Sequence, residues 1–361
     1  SYSWKDVQAK LGQNDVAIEF TTVPLSPLDK DNYILALILS STGEPTMSVI
    51  STRAILKNIK EKEDLYDNSL YYDIIWGFMQ QHLVDKQRVY FAPDNNLSDI
   101  AIEYLNDGQQ TFFEKYEVYR LSSTKELCRD YSATTASKSI TLFGDIDYNT
   151  DLVSERRGGI SFGKLKYGRE EIDGIRSFVN KTFKTTIYDA KKATEKQFRE
   201  LSNNNPTILH ISSHGEYDGD DKTIDNDAME NSLIALSGAN TGSDDIMDDG
   251  IITAADIAQM NLRQCDMAVL SACNTGIGGK GADGIFGLQR GFKNAGVHSL
   301  LMSLKPVYDE STAKLMIAFY QGLAQGKTKR QSLLDAQNYI KSIGYKEGKY
   351  WAPFILLDGL N

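Results

Sequence analysis

The chain has 361 residues, 41% of them hydrophobic and 24% charged, which is ordinary globular composition for one large domain or two of usual size. Lys and Arg number 39 against 49 Asp and Glu, a net charge of −10, and no basic run or basic-aromatic stripe offsets it, so nucleic acid is excluded as a partner. No apolar run approaches the ~20 residues of a membrane span, and the polar start Ser1-Tyr-Ser-Trp-Lys-Asp is no signal peptide; a cytoplasmic protein without a membrane partner is expected.

The first elements read in order as a helix from Trp4 to Leu11 and strands Asp15 to Thr22, Tyr33 to Ser40 and Thr46 to Ser51, separated by Pro- and Gly-bearing turns. Helical patterns cover Arg53 to Asp64 and Ser69 to Leu83. A strand from Arg88 to Phe91, a helix from Leu97 to Leu105, a strand from Phe112 to Arg120 and a short helix from Ser123 to Tyr131 follow. The small polar stretch Ser132 to Ser139 marks a domain boundary, giving a smaller α/β region over 1–135 and a second domain over 136–361.

The second part opens with strand Ile140 to Phe143 and a turn from Gly144 to Asp147, then a loop with Arg156-Arg-Gly-Gly159. Helix Tyr167 to Lys181 places Ile172, Ile175, Phe178 and Val179 along one face. Strand Lys184 to Tyr188, helix Thr194 to Leu201 and strand Thr207 to Ser213 come next. Beyond an acidic stretch lie helix Thr253 to Met260, strand Met267 to Ser271, helix Gly284 to Ala295 and strand His298 to Leu304. Helices Ser311 to Leu323 and Thr328 to Ile343 and a last strand, Ala352 to Leu357, complete the chain. Strands alternating with helices, and reading as unbroken apolar runs, predict a mostly parallel, doubly wound sheet flanked by helices. Such sheets bind ligands outside the carboxyl ends of their strands.

Two strands end there in reactive side chains. Met267-Ala-Val-Leu-Ser-Ala-Cys273 runs into Asn274-Thr-Gly276-Ile-Gly-Gly279, and Thr207-Ile-Leu-His-Ile-Ser-Ser213 into His214-Gly215. A cysteine between a strand and a helix sits where free N–H groups favour a thiolate. A neutral imidazole beside it can take the thiol proton and return it to a leaving amine. The N–H groups of Gly215 and Cys273 are natural oxyanion donors. Cys128, Cys265 and His210 read as structural, and three scattered cysteines make neither a disulfide framework nor a zinc site. Gly276-Ile-Gly278-Gly-Lys-Gly281 formally matches a dinucleotide fingerprint, but Cys-Asn-Thr precedes the first glycine and the next strand runs into Lys305-Pro306, so a gating loop suits it better.

Leu209-His-Ile-Ser-Ser-His-Gly215 and Leu270-Ser-Ala-Cys-Asn-Thr-Gly276 resemble the paired signatures of the caspase-like CHAT family, a bacterial branch of the caspase/separase clan of cysteine peptidases. The likeness continues through Gly284-Ile-Phe-Gly-Leu-Gln-Arg-Gly-Phe292, Ser303-Leu-Lys-Pro-Val-Tyr-Asp309 and Tyr350-Trp-Ala-Pro-Phe354. It implies a caspase-like fold preceded by a degenerate, inactive caspase-like layer. It also implies a Cys273–His214 dyad endopeptidase acting on a protein substrate, needing no third member and no cofactor. Family members are often joined to tetratricopeptide repeats, which implies control by an activating partner or a repeat-containing sensor. In separase relatives an acid at the Asp309 position selects arginine before the cut, making Asp309 a candidate pocket residue; Lys305 stands where relatives carry tryptophan. The alternative from another class is a catalytically silent interaction module of the same fold.

Residues 216–249 hold eleven acids and one base, Lys222. The plain reading is a solvated loop. The functional ones are a field that attracts a basic substrate segment and a calcium site drawing on Asp218, Asp220, Asp225 and Asp227, whose spacing does not fit an EF-hand.

Overall fold

The computed structural model describes residues 2–24, 32–94, 97–130, 138–149, 161–217, 225–241, 248–271 and 282–360. Cys273 with its glycine-rich sequel, the Arg156–Gly159 segment, most of the boundary stretch, and Asp218 and Asp220 of the acidic stretch lie outside the described residues, as do the side chains of Asp225 and Asp227. The chain forms two compact units, one of residues Ser1–Ser132 with Lys346–Asn361 and the other of Ala133–Tyr345.

The strands of the first unit are β1 (Asp15–Pro24), β2 (Asn32–Ser40), β3 (Thr46–Thr52), β4 (Arg88–Ala92) and β5 (Glu117–Arg120). Those of the second are β6 (Ser139–Ile146), β7 (Lys184–Ala190), β8 (Ile208–Ile211), β9 (Gly215–Tyr217), β10 (Ser232–Ala235), β11 (Ile251–Thr253), β12 (Met267–Leu270) and β13 (Ser299–Ser303). The final strand, β14 (Phe354–Leu357), belongs to the first unit, where the sequence reading had put it with the second domain. It lies parallel to β5 with Leu357 opposite Arg120, and the Asp358 N–H donates to the Arg120 carbonyl at 2.9 Å.

In the first unit the order is β3-β2-β1-β4-β5-β14, antiparallel over the first three strands and parallel thereafter. Val16, Ala17, Ile18 and Phe20 are all buried, as expected for a strand covered on both faces. Trp76 stacks on Phe112, ring centroids 3.8 Å apart, and donates its indole N–H to the Ile102 carbonyl at 2.8 Å. Two local expectations are corrected here. Residues Phe112–Lys115 are helical, not strand, because Thr111 and Glu114 form a reciprocal capping box; β5 starts only at Glu117. Residues 97–105 form turns and a 3-10 segment, Ile102–Tyr104, in place of an α-helix. The Arg120 guanidinium takes the carbonyls of Ser98 and Ile100 as acceptors, and a helix would need those same carbonyls for its own N–H groups.

In the second unit the order β13-β12-β8-β6-β7 is parallel throughout. One group of helices comprises Gly168–Val179, Asp309–Ala324 and Lys329–Ser342, each packed on the next. In the other, helix Ala282–Ala295 packs on Ala254–Gln259 and Asp225–Asn231. Gly287 and Gly291 permit that approach: a methyl group on Gly287 would stand 2.4 Å from the Ala228 carbonyl oxygen, and one on Gly291 2.6 Å from that of Ala254. The acidic stretch holds a second, antiparallel sheet in the order β11-β10-β9, which sequence patterning read as loop.

Candidate active site

Strand β8 lies between β6 and β12 and is buried along its length. At its carboxyl end the chain leaves one sheet for the other. The Ser212 N–H still donates to the Phe143 carbonyl of β6 at 2.8 Å, whereas the His214 carbonyl accepts from the Ala235 N–H of β10 at 2.9 Å. This handover puts His214 between the two sheets, outside the carboxyl ends of the parallel strands. Ser213 is pinned at the crossing: its hydroxyl donates to the Ala235 carbonyl and accepts from the Tyr148 hydroxyl, 3.1 Å away.

The His214 imidazole is half-buried between Tyr148 and Phe162, with ring centroids at 5.2 and 5.7 Å. Its Nε2–H donates to the Gly163 carbonyl at 2.6 Å, which fixes the tautomer and leaves the Nδ1 lone pair as the basic position. Burial lowers the proton affinity of the ring below its ordinary value, opposed in part by the Gly163 carbonyl and the Asp309 carboxylate. The imidazole is therefore neutral near pH 7, the form a general base requires.

Asp309 is the first residue of helix Asp309–Ala324, and its carboxylate accepts the Tyr167 N–H at 3.0 Å. It thus stands on the His214 side of the unit, and its charge also pushes the buried Tyr148 phenol upward; burial is the larger cause, and together they raise that phenol to about 12. The pairing of Gly215 with Ile234 is of the type whose own N–H groups point apart, because Ala235 donates to the residue before Gly215. The Gly215 N–H is accordingly turned from β10 toward the open edge of the small sheet. A small cavity beside His214 is lined by Ile211, Ser213, Gly215, Ile234, Leu270 and Leu288.

Strand β12 carries the other half. Its last described extension is Ser271, whose N–H donates to the Ile211 carbonyl of β8 at 3.0 Å, so the two strand ends are in register two residues before His214 and two before Cys273. Cys273 itself lies outside the described residues. The other two cysteines are free and buried, and neither resembles a nucleophile: burial pushes the Cys265 thiol up to about 12 and raises that of Cys128. Among the described residues no group of three or more His, Cys, Asp or Glu could hold a metal ion, and no helix is long and apolar enough to cross a membrane.

Sequence reasoning missed three partners of His214. The Gly163 contact is made by a backbone carbonyl, for which no side chain could signal. Tyr148 and Phe162 lie 66 and 52 positions upstream of His214 (214 − 148 and 214 − 162), beyond any local pattern. It also passed over Glu171, a fully buried acid beneath the same strand ends.

A large, mostly parallel sheet flanked by helices is the caspase-like fold. The chain belongs to the CHAT domain family, whose model matches residues 68–359. The Saccharomyces cerevisiae separase–securin complex superposes over 98% of this chain with TM-score 0.55 at 9% identity, this chain spanning 30% of that one. The arginine-specific cysteine proteinase gingipain R superposes over 84% of this chain and 66% of its own, with TM-score 0.47 and 11% identity. By sequence, tetratricopeptide repeat protein 28 of Mus musculus is 32% identical over 108 residues, which cover 30% of this chain and 4% of the mouse protein.

Proposed function

We propose that the second unit is a cysteine endopeptidase working through Cys273 and His214. The observation that carries this reading is the setting of His214: a half-buried imidazole held at Nε2 by the Gly163 carbonyl, just past the end of β8, whose neighbour β12 leads to Cys273. The thiol proton passes to Nδ1 as sulfur bonds the scissile carbonyl carbon. The Gly215 and Cys273 N–H groups donate to the oxyanion. Collapse breaks the C–N bond, the imidazolium proton goes to the leaving amine, and water then cleaves the thioester to regenerate the thiol.

In this reading Asp309 has two effects: it favours the protonated imidazole of the intermediate, and it lends the site an acidic wall suited to a basic side chain before the cut. The substrate is a protein segment, and the activity answers to a partner or a repeat-bearing sensor. Support for the latter is the likeness to a mouse tetratricopeptide repeat protein and to a separase found complexed with securin. Profiling cleavage of a denatured peptide library tests the whole. Cleavage after arginine or lysine, lost in His214→Ala, is expected; an apolar preference removes Asp309 from the pocket, and cleavage that survives His214→Ala removes the dyad.

A further inference from the structure

Helix Gly168–Val179 presents Glu171 to the interior, where it is 2% exposed. Its two oxygens are divided between the two strands that matter. Oε2 accepts from the Ser212 hydroxyl at 2.7 Å, and Ser212 directly follows β8. Oε1 accepts from the Ser271 hydroxyl, and Ser271 directly follows β12. His210, within β8 and fully buried, brings its Nε2 to 3.2 Å from Oε1, and the ring of Tyr320 closes over that histidine edge-on at 5.4 Å. Position 144 of β6 is glycine, which leaves room for the neighbours of the carboxylate: a methyl group there would stand 2.6 Å from Ile172 and 3.1 Å from Ser212.

A buried carboxylate costs several kcal/mol unless donors replace its water. Burial alone would raise the Glu171 carboxyl, but His210 and the hydroxyls of Ser271 and Ser212 outweigh it and hold it below its ordinary range. A sheet in which β8 and β12 are already hydrogen-bonded to each other needs no such group for its ladder. The clamp acts at the last rung of the ladder, where the Ser271 N–H still donates to the Ile211 carbonyl and the Ser212 N–H to the Phe143 carbonyl.

We infer that Glu171 is a positioning residue which ties Ser212 and Ser271 to one rigid helix and thereby fixes the exits of β8 and β12, two residues before His214 and two before Cys273. The inference rests on the peptidase reading for its purpose, although the clamp itself does not. It divides by strand, which a merely stabilising contact would not do. Ser271→Ala frees the exit of β12 alone, Ser212→Ala that of β8 alone, and Glu171→Gln weakens both.

The full chain is used, with two readouts independent of turnover: the rate of Cys273 alkylation by iodoacetamide across pH, read by peptide mass, and the His214 titration followed by 13C-histidine NMR. Ser271→Ala is expected to change the alkylation rate about tenfold with little change at His214, since small misplacements of reacting groups carry factors of that size or more. Ser212→Ala is expected to shift the His214 midpoint by roughly half a unit with little change in alkylation. Glu171→Gln shows both changes if folded. Folded serine variants that leave both readouts within twofold of wild type, or that move both equally, overturn the inference. Thioester formation at wild-type Cys273 with an acylating peptide is measured alongside, and its absence beside the strand-specific pattern counts against the peptidase reading alone.

Discussion

Replacing Tyr148 with phenylalanine isolates one oxygen atom's share in holding His214. The Tyr148 hydroxyl is buried and donates to the hydroxyl of Ser213, the residue before His214. Phenylalanine keeps the ring against the imidazole, 5.2 Å between centroids, and removes the hydroxyl's bond to Ser213. The Ser213 hydroxyl still donates to the Ala235 carbonyl, so no buried donor is stranded and the loss is one buried hydrogen bond. Loss of one buried hydrogen bond costs about 0.5–1.5 kcal/mol, whereas Tyr148→Ala also loses the ring and costs about 3–5 kcal/mol. Urea unfolding of the three proteins measures the ladder. For activity, a loosened His214 lowers kcat about tenfold, equal to about 1.4 kcal/mol of transition-state stabilisation, with KM little changed. If Tyr148→Phe unfolds at the wild-type urea midpoint and cleaves at the wild-type rate, the hydroxyl does not position His214.

The pH dependence of cleavage follows from the direction of the His214 shift. Its proton affinity in the folded protein is lowered from the ordinary 6.5, so the acid limb of kcat/KM falls below pH 6.5; a limb above that value contradicts the assignment of burial as the dominant cause. Asp309 raises that affinity, so Asp309→Asn moves the limb to still lower pH, and a shift upward refutes the assigned electrostatics. The same sign governs stability: below pH 6.5 the unfolded chain takes a proton at His214 that the folded one resists, so folding weakens as pH falls. In the first unit, Arg120, 4% exposed, forks onto both oxygens of Glu103 at 2.9 and 3.0 Å. Arg120→Met leaves that carboxylate buried and unpaired and costs about 3–5 kcal/mol, while Arg120→Met with Glu103→Leu recovers most of it; thermal unfolding in which the double variant is no better than the single one refutes the pairing.

The parallel strands were legible because burial on both faces makes them continuous apolar runs, and a glycine or cysteine after the run marks where each stops. His214 lies three residues past the end of β8, where such a run stops. The small sheet was not, since eleven acids between residues 216 and 249 masked the short apolar runs Leu233-Ile-Ala235 and Ile251-Ile252, both buried. Thr111 and Glu114 carried the correct signal for the helix at Phe112, but the aromatic pair that follows favoured a strand reading. Glu171 was visible in principle: it precedes Ile175 by four residues and Val179 by eight, which places an acid on the apolar face of its helix. What makes it matter is the convergence of Ser212 and Ser271 from strands 59 residues apart (271 − 212), and only the fold brings those together.

Cys273 as nucleophile is tested most directly by Cys273→Ala in the full chain, assayed on denatured protein. Cleavage should vanish while the thermal transition stays at the wild-type temperature and His214 keeps its titration. Cleavage that persists in the folded variant contradicts the account, and a wild type that neither cleaves nor forms a thioester with an acylating peptide identifies the chain as a silent module of the same fold.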